Sequence, residues 1–263
     1  MGLTKYWESC KISLYNSLVY KADFISNSLF IGLIIFIFVY LWKAVYGSGH
    51  GVIEGFTISM MVWYFVMTES IVTAPGRLIE EIGEDVQSGE IATKLNKPYN
   101  SVLFKYAYNM GQTLLRFILT FLVGGIIAFL FLGGVEINWL TLPLVGIVII
   151  LALTLHFCMM MLLGIFTFWF EDAKALNFLY NKIIFVFGGM LLPLEIFPQW
   201  LAKISAVMPF SFVAYHPARL FVIFNLNNFI RTIFLELIWI ALFSGLIAIF
   251  YKSFIKKISI NGG

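Results

Sequence analysis

Charged side chains make up only 12% of the 263 residues, about half the roughly 25% of an ordinary soluble domain. Apolar residues make up 61%. That much apolar surface does not fit beneath a water-facing shell, so a soluble globular enzyme and a disordered chain are both excluded. Cysteine is nearly absent: Cys10 and Cys158 lie far apart and in no metal-binding spacing, so neither a disulfide framework nor a zinc site is expected. The phosphate-loop motif GxxxxGK[ST] is missing, and the dipeptide Gly-Lys does not occur at all. HExxH, GxSxG and GxGxxG are missing too. The sequence therefore declares no catalytic residue, no cofactor site and no metal site. If ATP drives this chain, another polypeptide binds the nucleotide. The net charge of +3 is small and bears on topology, not on nucleic acid, for which no partner role is expected.

What the chain does have is long apolar runs. About 20 helical residues cross a hydrocarbon core of roughly 30 Å. Runs of that kind occupy residues 24–45, 54–75, 112–133, 140–170, 174–193 and 231–251. Six crossings leave no room for a second globular domain, so one transmembrane domain over residues 1–263 is expected. Backbone in lipid must close its own hydrogen bonds, and no alternating strand pattern is present. The expected fold class is thus an all-α membrane protein with six transmembrane helices. The run 140–170 is long for a straight span and implies tilt. The first run lacks a small-residue cleavage site and reads as a span, not a removed signal peptide. Lys5, Lys11 and Lys21 precede it, Arg77, Lys94, Lys97 and Lys105 fall in the loop 76–111, and Lys252, Lys256 and Lys257 lie in the tail. Six spans put all of these on one side together with Lys174, against Lys43, Lys203 and Arg219 on the other, and the balance places both termini in the cytoplasm.

Three segments do not span. Residues 3–18 carry Leu3, Tyr6, Trp7, Cys10, Leu14 and Leu18 on one helical stripe, the pattern of an amphipathic helix at the cytoplasmic interface. The loop 76–111 is long for a helix–helix connection. In it Glu80, Glu81, Glu84, Asp85 and Glu90 precede Lys94, Lys97 and Lys105. Leu78, Ile79, Ile82 and Val86 predict a short helix that Gly83 weakens and Gly89 ends, and Pro98 stops a second one. Such a loop either docks a soluble partner through charge or is simply solvated. Residues 194–221 are apolar but broken by Pro198, Pro209 and Pro217. They predict short helices that dip into the outer face and return, either gating a pathway or capping the bundle.

Ionisable groups inside spans are costly. Glu69, Arg116, His156, Lys182 and Glu236 are the candidates. They read either as a polar route or proton relay, or as structural groups. In the structural reading Arg116 and Lys182 snorkel while Glu69 and Glu236 pair between helices.

The layout resembles the permease subunits of ABC transporters of the ABC-2 exporter class. Four features carry the likeness: LTKYWESCKISLYNSL before the first span, EDVQSGEIATKLNKPYNSVLFKYAYNMG in the second-to-third loop, GGMLLPLEIFPQWLAKISAVMPFSFVAYHPARL after the fifth span, and the basic tail KSFIKK. The loop stretch is similar to a pattern that this chain fills with Val86, Gly89, Ile91, Leu95, Lys97 and Pro98. The resemblance implies two permease subunits, as a homodimer or heterodimer, working with separate ABC ATPase subunits that hold ATP and Mg. It also implies that the interface helix and residues 78–98 transmit the ATPase movement. Glu80, Glu81, Glu84 and Asp85 would meet basic patches of the ATPase, Gly89 would provide the turn, and Glu90, Lys97 and Pro98 would belong to the same coupling element. Pro198, Trp200, Pro209 and Pro217 would belong to an extracellular gate.

The expected function is therefore the membrane-spanning subunit of an ATP-driven exporter in the lipid bilayer of the plasma membrane, most simply a bacterial one. The chain itself would be no enzyme. The alternatives are an ion- or proton-driven carrier using Glu69, His156 and Glu236, and a membrane scaffold. The abundance of Phe and Ile, with few polar groups in the spans, leans towards an amphipathic or hydrophobic cargo such as a drug, lipid or peptide.

Overall fold

The computed structural model describes residues 4–19, 21–47, 51–88, 90, 100–135, 139–170 and 172–261. Among these residues the elements are helical, apart from one isolated bridge between Ile53 and Phe56. In chain order they are α1 (Thr4–Val19), α2 (Lys21–Tyr46), α3 (Ile58–Thr73), α4 (Leu78–Gln87), α5 (Ser101–Leu132), α6 (Leu142–Phe170) and α7 (Ala173–Phe187). A 3-10 turn (Leu194–Ile196), α8 (Gln199–Ser205), α9 (Pro209–Val213), α10 (Tyr215–Val222) and α11 (Leu226–Asn261) follow.

Local chemistry sets several boundaries. Thr57 caps α3 by accepting from the Met60 N–H at 3.3 Å, Asn100 caps α5 from Leu103, and Asp172 caps α7 from Ala175. Pro75 stops α3, and Pro209 opens α9 at its first position, where a missing N–H costs nothing.

Among the described residues five stretches are long and apolar enough to cross a membrane: Leu29–Tyr46, Ile58–Gln87, Ser101–Leu132, Leu142–Phe170 and Leu226–Tyr251. They coincide with five of the six expected runs. The remaining run, 174–193, holds a helix of only 15 residues, about 22 Å long at 1.5 Å per residue. It ends at Gly188, and Gly189 takes φ 67°, a left-handed turn that other residues resist.

Two sets of contacts define the ends of the bundle. At one end the Trp63 indole donates to the Gly133 carbonyl at 3.1 Å and the Tyr46 hydroxyl to the Phe56 carbonyl at 2.7 Å. At the other, the Asn109 amide donates to the Pro75 carbonyl at 3.4 Å and the Tyr6 hydroxyl accepts from the Asn100 N–H at 3.3 Å. Helix α1, α4 and the starts of α5 and α7 therefore share one end. The α2–α3 and α5–α6 connections lie at the other.

Helix α6 is the hub. It is 67% buried along its apolar window, against 11% for α11, and it packs on α3, α4, α7, α9, α10 and α11. A helix apolar all round belongs in such a position. Helices α2, α5 and α11 present apolar side chains outward, among them Phe30, Ile37, Leu130, Ile230 and Phe234.

The N-terminal helix forms as expected, but it packs differently from the predicted stripe. Its face against α5 is small: Ser13 is fully buried, Ser9 nearly so, and a Cβ on Gly111 would sit 2.4 Å from the Cys10 carbonyl. Small residues let two backbones approach closely. Trp7, Ile12 and Tyr15 are left exposed.

Candidate functional site

Helix α4 is where the acidic loop acquires shape. Leu78, Ile79 and Ile82 are buried, and Gly83 is not a weak point but a contact. A Cβ there would lie 2.6 Å from the Ala173 Cβ of α7, and one on Gly164 of α6 would lie 2.5 Å from the Ile82 Cδ1. One face of α4 is thus locked between α6 and α7.

Two of its acids are used within the chain. Glu80 pairs with Arg77 through one oxygen and accepts from the Asn177 amide at 3.1 Å through the other. Asp85 pairs with Lys105 of α5 at 3.0 Å. Glu81 and Glu84 stand on the exposed edge, Glu84 71% exposed with only a 3.9 Å approach to Arg77. The backbone N–H of Glu90 approaches the Ser88 hydroxyl at 3.4 Å, and its side chain is exposed. Gly89, Lys97 and Pro98 lie outside the described residues.

The intramembrane candidates do not converge. Glu69 is buried on α3 and makes no ion pair with Arg116 or Lys182. Arg116 lies instead against Gly76, within the field of Glu81. The Lys182 ammonium sits over the Phe178 ring at 5.1 Å on an exposed face. His156 is buried at the α6–α7 contact, its ring 5.7 Å from that of Tyr180. Glu236 is fully buried, and neither of its carboxylate oxygens has a hydrogen-bond partner among the described residues.

The broken segment after α7 is held by contacts that no local spacing in the sequence announces. The Tyr64 hydroxyl donates to the Gly189 carbonyl, and the Thr68 hydroxyl donates to the Met190 carbonyl at 2.7 Å. These two α3 side chains satisfy irregular backbone well inside the bundle, which apolar surroundings require. The Tyr215 N–H returns the chain to the Gly188 carbonyl at 3.0 Å. Glu195 then fastens the 3-10 turn to α10, its Oε1 accepting from the Tyr215 hydroxyl at 2.8 Å and from Arg219 at 2.6 Å. Burial, with Glu195 beside it, pushes the Tyr215 phenol well above its usual range. Pro198 begins α8, and Trp200 on it is 65% exposed. Pro209 and Pro217 are buried. Glu195, Arg219 and Tyr215 were individually visible in the sequence, but no local spacing links them.

Two cavities flank these elements. One, of about 560 Å³, lies between the start of α5, the middle of α6 and α11. Its wall is mostly apolar with a polar seam, where the Tyr106 and Thr154 hydroxyls lie 3.0 Å apart. The other, of about 400 Å³, lies between residues 194–220 and α11, with Glu195, Lys203, His216, Arg219 and Arg231 in its lining.

Among known proteins, the family model described as ABC-2 family transporter protein matches residues 29–262. No curated protein matches the chain.

Proposed function

The chain belongs to the ABC-2 family of transporter proteins, a multi-pass membrane permease, and we propose that it forms, as a dimer, the translocation pathway of an ATP-driven exporter. Separate ATPase subunits bind ATP and Mg and dock on the end that carries α1 and α4. Both termini are cytoplasmic, in a plasma membrane. Helix α7 with residues 188–193 completes a sixth crossing, and residues 194–221 form a re-entrant gate on the outer side.

The observation that carries this reading is the two-sided character of α4. Its apolar face is fixed to α6 and α7, and Asp85 fixes it to α5, while Glu81 and Glu84 remain exposed. A push on the acidic edge therefore moves three membrane helices as one body. Interfaces of this kind switch between discrete packings and do not deform smoothly. ATP-driven closure of the ATPase pair would displace α4, tilt α6 and α7, and reach the outer segment through α9 and α10, which pack on α6. The apolar cavity with its polar seam suits amphipathic cargo.

Charge reversal at Glu81 and Glu84 tests this. The double variant, Glu81→Lys with Glu84→Lys, should lose a co-expressed P-loop ATPase from the purified complex by at least roughly tenfold while the chain keeps its melting temperature. An intact complex would refute the docking surface. Proton-driven uphill transport by the lone chain in liposomes would replace the reading with a carrier.

A further inference from the structure

The cavity beside the outer segment carries an unbalanced charge. Lys203 of α8, Arg219 of α10 and Arg231 of α11 all line it, and among the described residues Glu195 is its only acid. The Oε1 of that acid is already shared between Arg219 and Tyr215. Neither Lys203 nor Arg231 has an anionic partner among the described residues. The three cations come from three different elements, so the charge is gathered by the tertiary fold and is not a run along one helix. His216, Asn228 and Thr232 add polar groups to the same wall. His216 has its Nε2 buried without a partner, and so has Glu195 its Oε2.

The surroundings indicate what kind of anion fits. Leu194, Ala202, Ala206 and Leu220 make part of the lining apolar. Next to Arg231 on α11, Ile230 and Phe234 point outward at 58% and 64% exposure, and Val207, just after α8, is 59% exposed. A charged pocket thus opens beside an apolar surface at the outer end of the bundle.

We propose that this cavity binds the anionic head group, phosphate or carboxylate, of an amphiphile whose tail lies along the outer face of α11. Arginine suits this task because its planar fork makes paired, charge-assisted hydrogen bonds to such oxygens. The buried Glu195 Oε2 accepts a hydroxyl or ammonium carried by the same head group. On the exporter reading, on which this inference rests, the pocket is a holding point on the outer side of the gate.

The test uses the purified full chain in detergent, with binding read by native mass spectrometry and by titration of tryptophan fluorescence. The probes are phosphatidylglycerol, phosphatidylcholine and inorganic phosphate. Phosphatidylglycerol should bind at least about tenfold more tightly than phosphatidylcholine and weaken with salt, since exposed charges are screened. Lys203→Gln combined with Arg231→Gln should abolish that preference, and Asn228→Asp, which adds a negative charge without removing a cation, should weaken it. Lys182→Gln, on a different face, should preserve it. Displacement of phosphatidylglycerol by millimolar phosphate would identify a free anion as a sufficient ligand, and lack of displacement would assign the site to lipid head groups. The proposal is overturned if the Lys203/Arg231 variant keeps the full preference, or if phosphatidylglycerol does not bind. Capture of the ATPase is measured separately on the same variants. Binding without capture faults the exporter reading alone, and capture without binding faults the pocket alone.

Discussion

His216 stacks flat on Phe212, with ring centroids 4.2 Å apart and planes within 17°. Burial, with Arg219 and Arg231 nearby, lowers its imidazole to about 3. An unfolded histidine titrates near 6.5. Between those two values the unfolded chain binds the proton and the folded chain does not, so stability falls as the pH drops through that window and is level above it. The slope is at most about 1.4 kcal/mol per pH unit. Thermal melts at pH 7.5 and 5.0 should therefore separate for the wild type. For His216→Gln the separation should shrink, and an equal drop in both proteins would discount this residue. Glu236 is a different case. A carboxyl buried without a partner carries a desolvation cost that nothing in its surroundings offsets. The expectation that it pairs between helices is not met among the described residues.

At the scale of the element, α4 was legible as a short amphipathic helix because Leu78, Ile79, Ile82 and Val86 recur at helical spacing. The division of its acids was not legible. Glu80 meets Asn177, 97 residues away in sequence, and Asp85 meets Lys105 across the loop. Gly83 is also clearer in three dimensions, where it marks the contact with α7. Gly83→Val should force α4 away from Ala173 and cost about 1–3 kcal/mol, as overpacking does. The readout is a lowered melting temperature together with reduced ATPase stimulation in the assembled complex. Gly83→Ala should show the same direction with a smaller effect. A variant of full stability would mean that the helices separate without penalty.

For the whole molecule the open quantity is the number of crossings. Helix α7 alone falls short of a bilayer, yet its far end is stitched to α3 by Tyr64 and Thr68. Residues 188–193 must supply the remaining rise if six crossings exist. Single cysteines introduced at Glu84 and at Lys203, in a chain whose Cys10 and Cys158 are replaced, report this directly. An impermeant thiol reagent applied to intact cells should label Lys203→Cys and spare Glu84→Cys. Labelling of both, or of neither, would place the two sites on one side and reduce the count to an odd number.

The sequence by itself determined the membrane class, the position of the long helices and the lack of a nucleotide motif. Each of these follows from composition or from spacing within a few residues, where hydrophobic burial and backbone hydrogen bonding act locally. Only the tertiary structure decided which acids stay exposed on α4, which face of α1 packs, and how α3 holds the chain after α7. It alone also brought Lys203, Arg219 and Arg231 around one cavity. Those outcomes depend on side chains far apart in sequence, and their pairing is set by how closely small residues let the helices approach.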